Sequence, residues 1–115
     1  MALGIFHSTG TISTNTDTTI GAAPGTGQRI YVLWMTVTVS VAGTTSRAVV
    51  TDGVGGAPLA RLATATADAI LNINYTSDNR SFPGRPLTEN TALVITTSGA
   101  GAATINYDVA YEVKG

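Results

Sequence analysis

Residues 104 to 113, TINYDVAYEV, put Ile105, Tyr107, Val109, Tyr111 and Val113 at alternate positions, with Thr104, Asn106, Asp108, Ala110 and Glu112 between them. Side chains point to opposite faces in turn only when a chain is extended, so this spacing predicts a half-buried strand and rules out an amphipathic helix here. The run before it, SGAGAA from Ser98, raises the alternative of a phosphate-cradling loop. A dinucleotide fingerprint needs a third glycine and a helix whose N-terminus faces the pyrophosphate. Gly99 and Gly101 are followed by Thr104 and by a strand. The glycines are therefore expected to form a tight connection, joining the last two strands as a hairpin.

The same period recurs along the chain. IYVLWMTVTVSV, from Ile30 to Val41, is apolar at Tyr31, Leu33, Met35, Val37, Val39 and Val41, and its even positions are also apolar at Ile30, Val32 and Trp34 before becoming polar. This reads as a long strand whose first half has two dry faces, the second needing cover from an arm, a loop or another copy. RAVVTD (47–52), LARLATAT (59–66), AILNINYT (69–76) and ALVITTS (92–98) are further strands, with Asp52 and Gly53 marking a turn. In AILNINYT, Leu71, Ile73 and Tyr75 are expected inward and Asn72 and Asn74 outward. SDNRSFPGRPLTEN (77–90), with two prolines and a glycine, cannot be one uninterrupted strand.

About seven or eight short strands, with turn signals and no helical period between them, define an all-β antiparallel sandwich. Unequal strands and variable linkers favour a jelly-roll-like form, in which the chain crosses between sheets. The immunoglobulin pattern is disfavoured because its cysteine pair is missing. The 115 residues make one domain. Residues 1–17, polar apart from Leu3, Ile5, Phe6 and Ile12, read as a flexible N-terminal arm, and residues 18–115 as the sandwich.

Composition narrows the partners. Six Lys and Arg against seven Asp and Glu leave no basic track for a phosphate backbone, so nucleic acid is not expected as a ligand. Charged residues make up 11% of the chain, against roughly 25% in typical domains. Such weak like-charge repulsion tolerates self-association. No segment approaches the roughly 20 apolar residues needed to cross a bilayer as a helix, and the start MALGIFHSTG has no secretory leader pattern. Synthesis and retention in the cytoplasm are expected, and no membrane partner.

The residues do not suggest catalysis. His7 is the only histidine, there is no cysteine, and Asp52, Asp68, Asp78, Glu89 and Asp108 read as turn caps or solvated acids. No enzyme activity, cofactor or metal is expected. The candidate interface residues are Leu3, Ile5 and Phe6 on the arm, Ile30, Val32 and Trp34 on the surplus dry face, and Phe82 and Arg85 in the irregular stretch.

The stretch FPGRPLTENTALVITTSGAG and the closing TINYDVAYEVKG, in a Gly- and Thr-rich chain with a short start, resemble small tailed-bacteriophage virion proteins, in particular the head decoration or cement proteins. The resemblance implies a β-domain on the outer surface of the expanded capsid, often trimeric at local threefold positions, that staples neighbouring major capsid subunits. It implies a homotrimer with the major capsid protein as partner, made in the host cytoplasm and resident in the virion, with no catalytic residues. A different class remains open, a carbohydrate-binding sandwich at a fibre tip or other surface. Its aromatic platform would come from Trp34, Tyr75, Phe82 or Tyr111, of which Phe82 is the best placed for exposure.

Overall fold

The computed structural model describes residues 5–44, 46–75 and 84–115, and these form two stacked antiparallel sheets. In chain order the strands are β1 (Ile5–Ile12), β2 (Asp17–Gly21), β3 (Arg29–Val41), β4 (Arg47–Asp52), β5 (Pro58–Ala63), β6 (Ile70–Asn74), the two-residue β7 (Arg85–Pro86), β8 (Leu93–Ser98) and β9 (Thr104–Lys114). One sheet has the order β1-β9-β3-β6, with β7 following β6 along the same edge of β3; the other has the order β2-β8-β4-β5. Apart from the β4–β5 hairpin and the passage from β6 to β7, every connection carries the chain from one sheet to the other. Counting the eight longer strands, this is the jelly-roll arrangement expected from the sequence.

The in-out alternation of β9 holds. Ile105, Val109 and Val113 are buried, and Tyr107 and Tyr111 pack against the same core. Facing them from the other sheet are Ala48, Val50, Leu93 and Ile95. In β6, Leu71 and Ile73 pack on the core together with the following Tyr75, and Asn72 and Asn74 are exposed, as the period requires. Asp52 and Gly53 open the β4–β5 turn, with Gly53 at φ 84° and Gly55 at φ 68°, a region that favours glycine.

Three expectations are corrected. The first is the second dry face of β3, to which Ile30 and Val32 do not belong. β9 pairs with Val32 at Tyr111 and with Trp34 at Ala110, so Leu33 is an extra residue, a β-bulge. A single insertion reverses the phase of a period-2 pattern. Ile30 and Val32 therefore enter the core before the bulge, and Met35, Val37 and Val39 enter it after. Ile30 and Val32 thus share one core face with Met35, Val37 and Val39, despite their different phase in the sequence. Leu33 is itself buried; Gly84 sits against it, close enough that an added Cβ would come within 3.2 Å of its Cδ2.

The second correction concerns the start of the chain. Residues 5–12 are not an arm: they pair in register with β9 from Ile5↔Glu112 to Ile12↔Ile105, and Ile12 is buried in the core. A polar edge strand with one anchored end looks, in sequence, like a loose terminus. The third is the glycine-rich connection. β8 and β9 lie in different sheets, so residues 99–103 form a crossover and not a hairpin. Gly99 has φ 136°, and a Cβ there would stand 2.4 Å from Ser46 Cα, so both its conformation and its packing require glycine.

The bulge yields a test. Leu33→Ala should destabilise by about 2–4 kcal/mol, as truncation of a buried leucine does. Deleting Leu33 outright should leave unfolding in urea cooperative, because without the extra residue Ile30, Val32, Met35, Val37 and Val39 fall in a single period-2 phase and the ladder to β9 becomes continuous.

Candidate interaction surface

Because Val109 and Met35 point inward, their neighbours point outward, and one row of the first sheet's outer face reads His7, Ala110, Trp34, Asn74 across β1, β9, β3 and β6. The small Ala110 lets the two rings on either side of it meet. The imidazole and indole centroids lie 5.4 Å apart with planes at 60°, an edge-to-face geometry. Ala110 is buried beneath this outer layer. His7 Nε2 also contacts the Asp108 carboxylate, two residues along β9, and both side chains remain about half exposed.

The remainder of this face is polar and locally paired. Thr11 Oγ1 donates to Asn106 Oδ1 at 2.8 Å. Lys114 lies 3.9 Å from the Glu112 carboxylate, with its ammonium 5.0 Å from the centre of the Tyr31 ring. A histidine oriented by a carboxylate is half of a familiar hydrolytic arrangement. Here it lies on an open sheet, with Ser8 on the opposite face of β1 and Thr9, paired with Asp108, on the same face.

The end of β1 has a different character. Ile5, on the outer face, is 68% exposed, and Phe6, turned toward the sandwich interior at its open edge, is still 42% exposed. Phe6 stacks on Tyr111 with centroids 5.4 Å apart and planes 17° from parallel. The two rings, with Ala22, Ala23, Pro24, Gln28 and Val113, line an apolar groove of about 240 Å³. Gly21 permits this packing, since a Cβ there would come within 2.9 Å of Tyr111 Cζ. Burial pushes the Tyr111 hydroxyl pKa up from its ordinary value, because the phenolate would lose hydration.

The expected interface residues are thus divided. Ile5 and Phe6 are exposed on opposite faces of β1, Trp34 is half-buried on the outer face beside His7, and Arg85 is exposed on β7. Ile30 and Val32 are corrected: both have no accessible surface and belong to the protein's own core. Leu3 and Phe82 lie outside the described residues. The groove beside Phe6, and the part Tyr111 plays in it, escape a reading of the sequence, which does not show that β1 pairs with β9. Among the described residues, no three of His, Cys, Asp and Glu come together as metal ligands would.

No protein-family model matches the chain, and no curated protein matches it. Among solved structures, one similar chain belongs to the virus-like particle of the extra small virus of the giant freshwater prawn Macrobrachium rosenbergii. It has 13% identity and a TM-score of 0.41, over 100% of this chain and 82% of that one. A likeness of this degree carries no functional argument.

Tyr111 supplies a pH test. Its folded-state pKa is raised above the unfolded value, so its contribution to stability is complete below about pH 10 and is lost as pH rises through the folded pKa. Chemical denaturation across pH 8 to 12 should show stability falling at the alkaline end, and Tyr111→Phe should reduce that fall.

Proposed function

We propose that this protein is a structural component of a virion: a decoration or cement protein that sits in threes on the outer surface of a tailed-phage head and clamps neighbouring major capsid subunits. It performs no turnover in this role. The observation that supports the reading best is the end of β1, a free sheet edge at which Phe6 is exposed in an apolar groove and Ile5 is exposed on the opposite face. An edge strand offers unpaired backbone groups, and the apolar groove around Phe6 beside it gives a neighbouring chain an apolar side chain to pack on.

Fully burying one such side chain contributes about 1.5–3 kcal/mol before the costs of association, which is weak for a single site. Repeated over a shell, the same contact becomes effective through multivalency. The jelly-roll class, which includes many shell-forming domains, is compatible with this role but does not establish it. The low charge leaves little repulsion to oppose dense packing on a lattice.

A second reading rests on Trp34. Its indole is partly exposed, Asn74 is its direct cross-strand neighbour, and Asn72 pairs with Thr36 one step along the sheet. An aromatic ring flanked by amides and hydroxyls is the chemistry that stacks on and hydrogen-bonds to a sugar. This reading would make the protein a carbohydrate-binding module of a fibre or other surface structure.

Co-sedimentation with purified expanded heads separates the two. The decoration reading expects saturable binding that Phe6→Ser weakens by about tenfold or more and Trp34→Ala leaves within a few-fold. Absence of binding to heads, together with tryptophan fluorescence that responds saturably to a glycan, would replace it with the second reading.

A further inference from the structure

The outer face of the second sheet carries two arginines at neighbouring positions. In β4, Ala48 and Val50 are buried in the core, so Arg47 and Val49 point outward; in β5, Ala60 and Leu62 pack on the core, so Arg61 and Ala63 point outward beside them. Arg47 pairs with Ala63 and Val49 with Arg61, which makes the two arginines diagonal neighbours, roughly 7–8 Å apart at the backbone and within reach of each other's long side chains. Between them, where Ala63 and Ala65 are too short to fill the space, lies one groove of about 370 Å³, lined also by Ser46 and Leu62.

No acid balances this groove. Its lining contains no Asp or Glu, and among the described residues neither guanidinium has an ion pair, a hydrogen bond or a ring partner. Arg29 and Lys114 differ, being engaged by the Leu87 carbonyl and the Glu112 carboxylate. An acid on the same face, Asp17, stands at the far end of the row Asp17, Thr96, Val49, Arg61, and its carboxylate accepts from Thr96 Oγ1 at 2.6 Å. Three strand spacings put it about 14 Å from Arg61, beyond the roughly 8 Å over which exposed charges act at physiological salt. Asp68 lines a different groove, with Thr38, Val39, Ser40 and Ile70. Two positive charges therefore share one groove without a counter-charge.

We infer that Arg47 and Arg61 form a binding site for the phosphoryl group of a small phosphate monoester. A guanidinium stays charged at every ordinary pH, and its fork of N–H donors matches phosphoryl oxygens two at a time. A monoester carries about −1.5 to −2 charges near pH 7 and three acceptor oxygens, so one group satisfies both arginines. A carboxylate or a phosphodiester supplies a single charge and leaves one arginine uncompensated. A nucleic-acid backbone needs a continuing basic track, and the strands of this sheet carry no Lys or Arg besides these two. The groove volume lies at the lower end of the roughly 300–1,000 Å³ typical of small-ligand sites, and Leu62, Ala63 and Ala65 give the organic part of the ester an apolar surface. The site is on the sheet that carries neither Phe6 nor Trp34, so it stands or falls separately from binding to a phage head.

Amide NMR titration of the isolated protein at fixed ionic strength tests this. Glycerol 3-phosphate should shift the amides of residues 46–49 and 61–65 saturably, with a Kd of about 1 mM or tighter, and dimethyl phosphate, a diester with one charge, should bind about tenfold more weakly or worse. Arg47→Gln and Arg61→Gln should each weaken the monoester by about tenfold, whereas Arg85→Gln, which removes an exposed arginine from the other sheet, should leave it unchanged. The amide spectrum reports whether each variant is folded. Where a glutamine variant is not, Arg61→Lys, which keeps the charge and loses the fork, takes its place and should weaken binding several-fold. Shifts that do not saturate, a diester that binds as tightly as the monoester, or arginine variants that bind as well as the unaltered chain would each overturn the inference. A phosphoserine peptide that binds about tenfold tighter than glycerol 3-phosphate would also overturn it, by making a phosphorylated chain the ligand in place of a small molecule.

Discussion

The β3–β9 ladder supports everything else in this fold. It runs from Arg29↔Lys114 to Val41↔Thr104, joins the two longest strands and places both in the middle of their sheet. A sandwich core accepts one face of each strand, so a strand of this length must keep its apolar residues in phase with the pleat throughout. β3 does not do so in sequence. Its apolar positions are even at Ile30 and Val32 and odd from Met35 onward, and the bulge at Leu33 reconciles the two sets. Around that point the structure is fastened locally: the Tyr75 N–H donates to the Leu33 carbonyl at 2.8 Å, and β7 covers the edge of β3 beside Val32. The same shift puts Trp34 on the outer face beside His7.

The crossovers impose a second constraint at one end of the sandwich. The connections 42–46 and 99–103 both pass between sheets there and lie against each other. The Gly101 N–H donates to the Thr44 carbonyl at 3.1 Å, and the Gly43 N–H reaches the Thr64 carbonyl at 2.9 Å. A Cβ on Gly43 would come within 2.4 Å of the Gly101 carbonyl oxygen. Backbones this close leave no room for side chains, and the Ser46 hydroxyl is enclosed among them without a hydrogen-bond partner. The structure offers no physical compensation for that hydroxyl. The glycine-rich composition that suggests a phosphate loop in sequence is thus explained by packing between two connections.

The period-2 signal is enough to assign β9, β6, β4 and the all-β class, because each of these strands has one clear apolar face. It fails at β3, where an inserted residue has no signature except the change of phase, visible in retrospect at Leu33 and Trp34. It fails also at β1, whose residues His7, Thr9 and Thr11 face outward and whose inward positions include Ser8 and Gly10. Gly10 is small because the Tyr107 ring lies over it: a Cβ would come within 2.6 Å of Tyr107 Oη. A strand that accommodates a partner's tyrosine with a glycine looks like a turn when read alone. Of the candidate surface, exposed Ile5 and Phe6 are legible as large apolar residues in a polar stretch. The groove beside Tyr111 is not, since it depends on the pairing of Phe6 with Tyr111, more than one hundred residues apart.

The treatment of the four free edges follows from the low charge of the chain. An edge strand usually protects itself with a charge, a proline or a bulge. β5 carries Pro58 and Arg61, and β2 carries Asp17 and a shift in its pairing between Thr19 and Gly21. Both lie in the same sheet. The other sheet's edges, β1 and β6, have no Asp, Glu, Lys, Arg or Pro, and each begins with a strongly exposed isoleucine, Ile5 or Ile70. Its protection is reduced at both ends, and its outer face carries the Trp34–His7 pair. A β-sandwich with no partner gains by guarding all four edges alike, since any open edge can capture another chain. The edge of β6 is guarded where β7 continues it with Arg85 and Pro86, which leaves β1, the edge assigned to docking a neighbouring subunit, as the least protected of the four.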